Sequence, residues 1–132
     1  MATTTISQKE LARVSAAAYE GKSFRVSLAN NTTSLTSEST TAAWDAIKLS
    51  GNGYADVTGT IGTGSYNATT ARYEMPYLEA TFAASGGSLT YNTVYVVVNS
   101  NTYVHSINVE SPAVTLASGS SVLYRITLAA DD

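Results

Sequence analysis

The chain has 132 residues, a formal net charge of −3 at neutral pH and charged side chains at only 13% of its positions. A chain of this length buries roughly two thirds of its unfolded surface, which suffices for one core, so we predict a single domain over residues 1–132. The low charge excludes the basic surface that nucleic acid or an anionic membrane requires, and the lack of cysteine excludes disulfides and cysteine-based metal sites.

The composition favours strands over helices. Serine and threonine supply about a quarter of the chain, together with nine tyrosines and nine glycines, and these residues suit strand surfaces and turns. No window approaches the ~20 consecutive apolar residues of a membrane span, and the N-terminus lacks the basic and apolar parts of a secretory signal. We therefore predict a mainly β protein that is made in the cytoplasm, with no membrane and no nucleic-acid partner.

Residues 7–20 carry the strongest helix signal. Ser7 and Glu10 form a capping box, apolar residues then follow at helical spacing, and Gly21 suits the C-terminal stop. We predict a helix of about three turns that forms, with the preceding residues, an N-terminal arm over residues 1–21. The alternative is that the second half of this segment continues as a strand.

The next segments predict short strands joined by loops. Alternating apolar and polar residues indicate a half-buried strand over residues 23–30, and an exposed loop without periodicity follows it. Thr40 or Thr41 is expected to cap a short turn that carries Trp44, the single tryptophan. We expect its ring to plug one end of the core rather than to serve as an exposed binding anchor. Residues 54–61 then read as a polar edge strand.

Residues 59–84 combine a glycine-rich part with an interrupted strand. The glycines do not form a phosphate-binding loop, because no Gly-Lys-Ser/Thr ending follows them, so a hairpin or a sheet-joining loop is predicted over residues 59–70. Proline cannot donate to a β-ladder, so the strand over residues 72–84 is expected to break at Pro76. After this break Leu78, Ala80 and Phe82 share one face.

Residues 89–109 are the predicted centre of the fold. The unbroken apolar run from Val94 to Val98 indicates a strand that is buried on both faces. Turn-forming residues follow, and a second run places His105, Ile107 and Val109 on one face of a half-buried partner strand. Ser111 and Pro112 are expected to break the sheet before two last strands, over residues 113–116 and 122–128. The pattern as a whole predicts an antiparallel β-sandwich.

Few residues offer catalytic or metal-binding chemistry. His105 is the single histidine, and one histidine without cysteine cannot supply a structural zinc site, so we interpret it as a satisfied, half-buried residue. Glu74 and Glu79 flank Pro76 and form a conceivable carboxylate pair, but their odd spacing places them on opposite faces of a regular strand. No Gly-x-Ser-x-Gly motif is present. We predict no catalytic residue, no metal and no cofactor.

Tyrosines in and beside the glycine-rich middle are better candidates for a functional surface. Loop-borne tyrosines provide large, rigid contact areas with a polar tip, which suits a protein interface or a sugar platform. The alternative is that these rings cover the ends of the sandwich. The predicted partner-contact residues are Tyr54, Tyr66, Arg72, Tyr73 and Tyr77.

Three stretches carry a resemblance to a known class of proteins: TAAWDAIKLSGNGYADVTGTIGTGSYNATTARYEMP, LEATFAASGGSLTYNTVYVVV and ESPAVTLASGSSVLYRITL. They resemble small structural proteins of tailed bacteriophage particles, in particular the decoration or cement proteins that cover capsids. The likeness covers most of residues 20–128 and is one of texture and order, without an active-site signature.

The resemblance implies a compact β-sandwich, jelly-roll or immunoglobulin-like, to which the N-terminal helix is an addition. It also implies a non-enzymatic virion protein that binds the major capsid protein or other virion proteins, stabilises the lattice and forms a homo-oligomer, a dimer or a trimer. The alternative is a receptor- or carbohydrate-binding module of a tail fibre or collar. A hydrolase that uses His105 or Glu74 is a third and more distant hypothesis.

Overall fold

The computed structural model describes residues 17–70 and 72–127. Within them the protein is mainly β, and its paired strands are antiparallel. In chain order the elements are β1 (Ser23–Ala29), α1 (Thr41–Asp45), β2 (Val57–Thr60), β3 (Ser65–Asn67), β4 (Arg72–Glu74), β5 (Leu78–Ala83), β6 (Leu89–Val98), β7 (Ser106–Leu116) and β8 (Ser121–Ile126).

The chain packs as two compact units. Of the described residues, the first unit comprises 17–22, 60–70, 72–78 and 125–127, and the second comprises 23–59 and 79–124. The first unit contains the β3–β4 hairpin. The second contains the four-stranded sheet in the order β2-β1-β6-β7, except for the last residue of β2, and most of the β5–β8 pair. The single domain over residues 1–132 stays a prediction.

The N-terminal helix predicted over residues 7–20 lies mostly outside the described residues, and so does its capping box. Where the description begins, residues 18–21 form a turn. Gly21 has a φ of 75°, the left-handed conformation that glycine adopts at the C-terminal end of a helix.

Strand β6 is the centre of the second unit. It pairs with β1 on one side and with β7 on the other, and Leu28 and Val26 of β1 lie opposite Val94 and Val96. Every residue from Thr93 to Val98 is buried. The predicted central strand is therefore confirmed: a strand with neighbours on both edges and cover on both faces has no position for a polar side chain that needs water.

Helix α1 covers part of this sheet. Thr40 caps it, because the Thr40 hydroxyl accepts a hydrogen bond from the Ala43 N–H at 3.2 Å. Trp44 is fully buried, and the centre of its ring lies 5.4 Å from that of Tyr95 on β6. The predicted cap and the predicted core position of the tryptophan are both confirmed. The cluster around the two rings also contains Ala29, Val97 and Val104.

Aromatic rings also link β5, β6 and β8 within the second unit. Phe82 stacks on Tyr54 with ring centres 6.0 Å apart, and it meets Tyr124 edge-on at 6.5 Å. The Tyr91 and Tyr124 hydroxyls share a hydrogen bond of 2.5 Å. Phe82 and Ala80 are buried, as the alternation after Pro76 predicted. These contacts tie the two-stranded β5–β8 sheet to the bulged end of β6.

Strand β7 differs from the prediction in two ways. It continues through Pro112, because the sheet absorbs the proline in a bulge instead of ending there: Thr93 pairs with Val109 and Tyr91 with Val114, so residues 110–113 lie opposite Asn92 alone. In addition, the side chain of Val109 is 62% exposed, so the expectation that it lies on a half-buried face is wrong. The reason is its place on the outer strand of the sheet.

Candidate functional site

The first unit brings three of the predicted contact residues together on one hairpin. Strands β3 and β4 pair so that Tyr66 lies opposite Tyr73 and Asn67 lies opposite Arg72. The side chain of Tyr66 is 39% exposed, and its two neighbours in the chain, Ser65 and Asn67, are polar. No residue of β3 is buried, so apolar burial does not hold this strand in place. Hydrogen bonds fix it instead.

Asn67 supplies the bonds that close the hairpin. Its side-chain amide donates to the Glu74 carboxylate at 2.7 Å, while its Oδ1 accepts from the backbone N–H groups of Thr69 and Thr70 at 2.9 and 3.3 Å. An asparagine that accepts from the backbone two residues later forms an Asx turn, which fixes the reversal of the chain. Tyr66, the residue before Asn67, thus adjoins an ordered turn.

The base of the hairpin is anchored to the segment that precedes β1. Ile61 is buried and exchanges two backbone hydrogen bonds of 2.9 Å with this segment, donating to the Lys22 carbonyl and accepting from the Gly21 N–H. The N–H of Gly64 donates to the Glu20 carboxylate at 3.0 Å. Both anchors lie within the first unit, so the hairpin has a fixed base as well as a fixed tip.

Among the side chains whose exposure the structure describes, Tyr77 is the most exposed large apolar one, at 65%. It follows Pro76, whose Cγ would lie 3.1 Å from a Cβ atom added to Gly62. Pro76 therefore lies close to the backbone of Gly62, at the start of the glycine-rich stretch. The ring of Pro76 fixes its own φ angle, and the exposed aromatic ring of Tyr77 follows directly, which suits a contact anchor.

Tyr54 has a different environment from the other predicted tyrosines. It lies in the second unit, where its hydroxyl accepts from the Leu28 N–H at 3.0 Å and donates to the Asp56 carboxylate at 2.6 Å. Burial, and then the bond to Asp56, raise the pKa of this hydroxyl well above its usual range. Since its ring stacks on Phe82, both parts of Tyr54 are engaged in the core of the second unit.

A charged network that sequence analysis missed joins α1 to the central sheet. Arg25 on β1 makes two parallel hydrogen bonds to Asp45 on α1, at 2.9 and 3.0 Å. Tyr95 donates to the same carboxylate at 2.7 Å, and the guanidinium carbon lies 5.8 Å from the centre of its ring. An ion pair with two parallel hydrogen bonds is stronger than one with a single hydrogen bond, because both partners are held at two points.

Asp56 is the second acceptor of this network. It accepts from Lys48 at 2.8 Å, from Tyr54 at 2.6 Å and from Ser27 at 2.9 Å. Burial alone would raise the pKa of Asp45 and of Asp56, but the hydrogen bonds that each accepts outweigh burial and lower both pKa values below the usual range. The donors and acceptors satisfy one another, so the network acts as a scaffold that holds α1 on the sheet.

The other titratable candidates are engaged in small local contacts. His105 is half-buried, its Nδ1 lies 3.0 Å from the Ser106 hydroxyl, and burial lowers its pKa. Glu74 accepts from Asn67, and Glu79 is exposed on β5. Within residues 17–70 and 72–127 no group of three or more His, Cys, Asp or Glu side chains is arranged to hold a metal ion.

The comparisons with family models, with curated proteins and with solved structures find no match to this chain. No helix in the described part of the chain has the length and apolar character needed to cross a membrane. The candidate site is therefore defined by exposed aromatic rings of the first unit: Tyr66 on the braced β3–β4 hairpin, and Tyr77, which lies three residues beyond the end of β4. The second unit separately exposes Tyr103, Val109 and Leu123.

Proposed function

We propose that this chain is a non-enzymatic structural protein of a virion, a decoration or cement protein that binds and stabilises the lattice of the major capsid protein. The observation that carries the proposal is the exposure of two tyrosines of the first unit: Tyr66, 39% exposed on a hairpin braced at its tip and at its base, and Tyr77, 65% exposed just after that hairpin. The resemblance of the sequence to capsid decoration proteins supports the same function.

The physical argument concerns the cost of binding. Tyrosine presents a large contact area with few rotatable bonds, and a segment that is already ordered loses little conformational entropy when it docks. With charged residues at only 13% of positions, long-range steering is weak and affinity has to come from such contacts. A protein that binds only the assembled lattice then stabilises it by RT ln(1 + [L]/Kd) at each site.

The proposal also covers how the sheets pack, what the N-terminal arm does and how the protein assembles. The sheets of the protein form a sandwich of the jelly-roll or immunoglobulin-like kind, and the N-terminal arm over residues 1–21 docks on the capsid. The protein assembles as a dimer or trimer, and its partners are the major capsid protein or other virion proteins. It has no cofactor.

The test is co-sedimentation of the purified full-length chain with capsid shells of the phage that encodes it. Saturable binding, with a stoichiometry that matches a repeating site of the lattice, is the expected result. Tyr77→Ala should weaken this binding at least tenfold, whereas Tyr103→Ala removes a similarly exposed ring from the second unit and should leave it unchanged. A chain that stays in the supernatant at every concentration contradicts the proposal.

One observation favours a second candidate, a receptor- or carbohydrate-binding module of a tail fibre or collar. Tyr66 is 39% exposed on the β3–β4 hairpin, and an exposed aromatic ring is suited to stack on the apolar face of a sugar. Retention on immobilised glycans that is lost in Tyr66→Ala, combined with no shell binding, would support this candidate instead.

A further inference from the structure

Strand β7 forms an outer edge of the four-stranded sheet. It pairs with β6 on one side, and no strand among residues 17–70 and 72–127 pairs with its other side. An edge strand of this kind presents a row of unpaired backbone N–H and C=O groups, and proteins usually protect such a row with lysines, prolines or bulges. The length of β7, 11 residues, makes the edge a substantial one.

The protection of this edge is confined to its second half. Pro112 removes a donor there, and the bulge at residues 110–113 interrupts the regular ladder. The first half, residues 106–109, has neither device and contains no charged side chain. It also carries Val109, which is 62% exposed. An unprotected edge next to an exposed β-branched side chain is the arrangement expected at a site of strand pairing.

We propose that residues 106–110 pair antiparallel with the same residues of a second copy of the chain, about a two-fold axis at Asn108. Antiparallel pairing of identical strands is self-complementary, so two copies close into a dimer with one continuous sheet. This inference specifies the surface and the symmetry of the homo-oligomer in the proposed function, and its test does not depend on capsid binding.

The chemistry of the strand fits this register. A two-fold axis at Asn108 places Val109 of each copy opposite Ile107 of the other, which gives two cross-strand apolar pairs on one face. It places Glu110 opposite the uncharged Ser106, so that the two Glu110 residues are offset by about 14 Å along the strands. A register centred on Glu110 would instead oppose the two carboxylates directly, and is disfavoured.

The first test uses the absence of cysteine from the chain. Asn108 is exposed, and in Asn108→Cys the two thiols would face each other across the axis at a separation that a disulfide spans. Mild oxidation should convert most of this variant to a covalent dimer on a non-reducing gel. Ser118→Cys places a thiol in an exposed turn of the same protein and should remain largely monomeric. Equal rates of cross-linking in the two variants would overturn the proposal.

The second test measures mass by light scattering over a range of concentrations. The wild-type chain should reach the mass of a dimer, about twice 13.8 kDa, with Val109→Lys at least tenfold weaker in self-association. Leu123→Lys makes the same change at another exposed position and should associate like the wild type. Ser106→Lys, which would face Glu110 of the second copy, should strengthen the dimer. A wild-type chain that stays monomeric, or a Val109→Lys variant that behaves like Leu123→Lys, rejects the proposal.

Discussion

The hydroxyl of Tyr95 on β6 donates to the carboxylate of Asp45 on α1 across 2.7 Å. The ring of the same tyrosine is fully buried beside Trp44, so one side chain provides both the apolar and the polar contact between helix and sheet. Asp45 is bound in addition by Arg25. The helix, only five residues long, is therefore held by its tertiary contacts rather than by its own helical propensity.

Replacing Tyr95 by phenylalanine separates these two contacts. Tyr95→Phe keeps the ring against Trp44 but removes one donor from a partly buried carboxylate, so we expect the free energy of unfolding to fall by about 1–2 kcal/mol. Urea denaturation followed by tryptophan fluorescence measures this change. Tyr103→Phe removes the hydroxyl of an exposed tyrosine and should have almost no effect. Equal losses in the two variants would show that the bond to Asp45 contributes nothing.

Gly59 on β2 is required by its neighbour on β1. A Cβ atom at this position would lie 2.8 Å from a carbon of the Phe24 ring, although the backbone of Gly59 is compatible with alanine. We expect Gly59→Ala to destabilise the protein by about 1–3 kcal/mol through overpacking. In a Phe24→Ala background the same substitution should cost much less. If its cost is the same in both backgrounds, the clash with the ring is not the cause.

Asn67 should control the order of the hairpin without controlling the stability of the whole chain. Asn67→Ala removes the acceptor of the Thr69 N–H and the donor to Glu74, so the Thr69 amide should exchange with solvent at least tenfold faster. Global unfolding should shift by less than about 1 kcal/mol. Asn52→Ala, which removes a bond to the Ser88 carbonyl in the second unit, is the matched control and should not alter exchange at Thr69.

Alkaline pH should unfold the protein through its buried tyrosines. Burial is the main reason that the pKa values of Tyr54, Tyr95 and Tyr124 lie above their usual value near 10, and hydrogen bonds to neighbouring groups raise them further. The unfolded chain then loses these protons at a lower pH than the folded chain. Stability should therefore be unchanged up to about pH 9 and should fall steadily above about pH 10. Urea midpoints that stay constant to about pH 11 would contradict this account.

On the acid side the loss of stability should have two stages. Burial lowers the pKa of His105, so the unfolded chain binds this proton first and stability should decline gently below about pH 6.5. The folded pKa values of Asp45 and Asp56 are also lowered, so their contribution is present above about pH 4 and disappears as the pH falls through those folded values. Urea midpoints between about pH 8 and pH 3 measure both stages. A single steep loss near neutral pH would contradict this assignment.

Several strands could be predicted from the sequence because burial imposes a two-residue period. The alternating runs of β5 and β8 follow this rule, and the continuous apolar run of β6 indicates burial on both faces. The alternation in β1 predicts a half-buried strand, but its last four residues, 26–29, are all buried. The cap before Trp44 follows from local hydrogen bonding. The edge of the sheet was harder to predict. The exposure of Val109 depends on which strand lies outermost, and this information is not present in the local pattern.

In the candidate site, too, the local pattern predicted some features, while others depend on the tertiary fold. Tyr54 and Tyr66 both lie in polar, glycine-containing segments, so sequence alone could not separate the tyrosine that stacks on Phe82 from the one on the hairpin. The network of Arg25, Asp45 and Asp56 depends on distant pairs: Arg25 binds Asp45, 20 positions away, and Ser27 binds Asp56, 29 positions away. In the sequence these residues look like any other polar residues. The ion pair between Arg25 and Asp45 forms only because the fold brings β1 and α1 together.

Heating capsid shells with and without the protein tests the central claim, that this chain stabilises a capsid lattice, most directly. If the chain binds only the assembled lattice, the temperature at which shells come apart in a calorimeter should rise with the concentration of added protein and level off as the sites fill. Tyr77→Ala should need a higher concentration to produce the same rise. A disruption temperature that is the same at every protein concentration would contradict the claim.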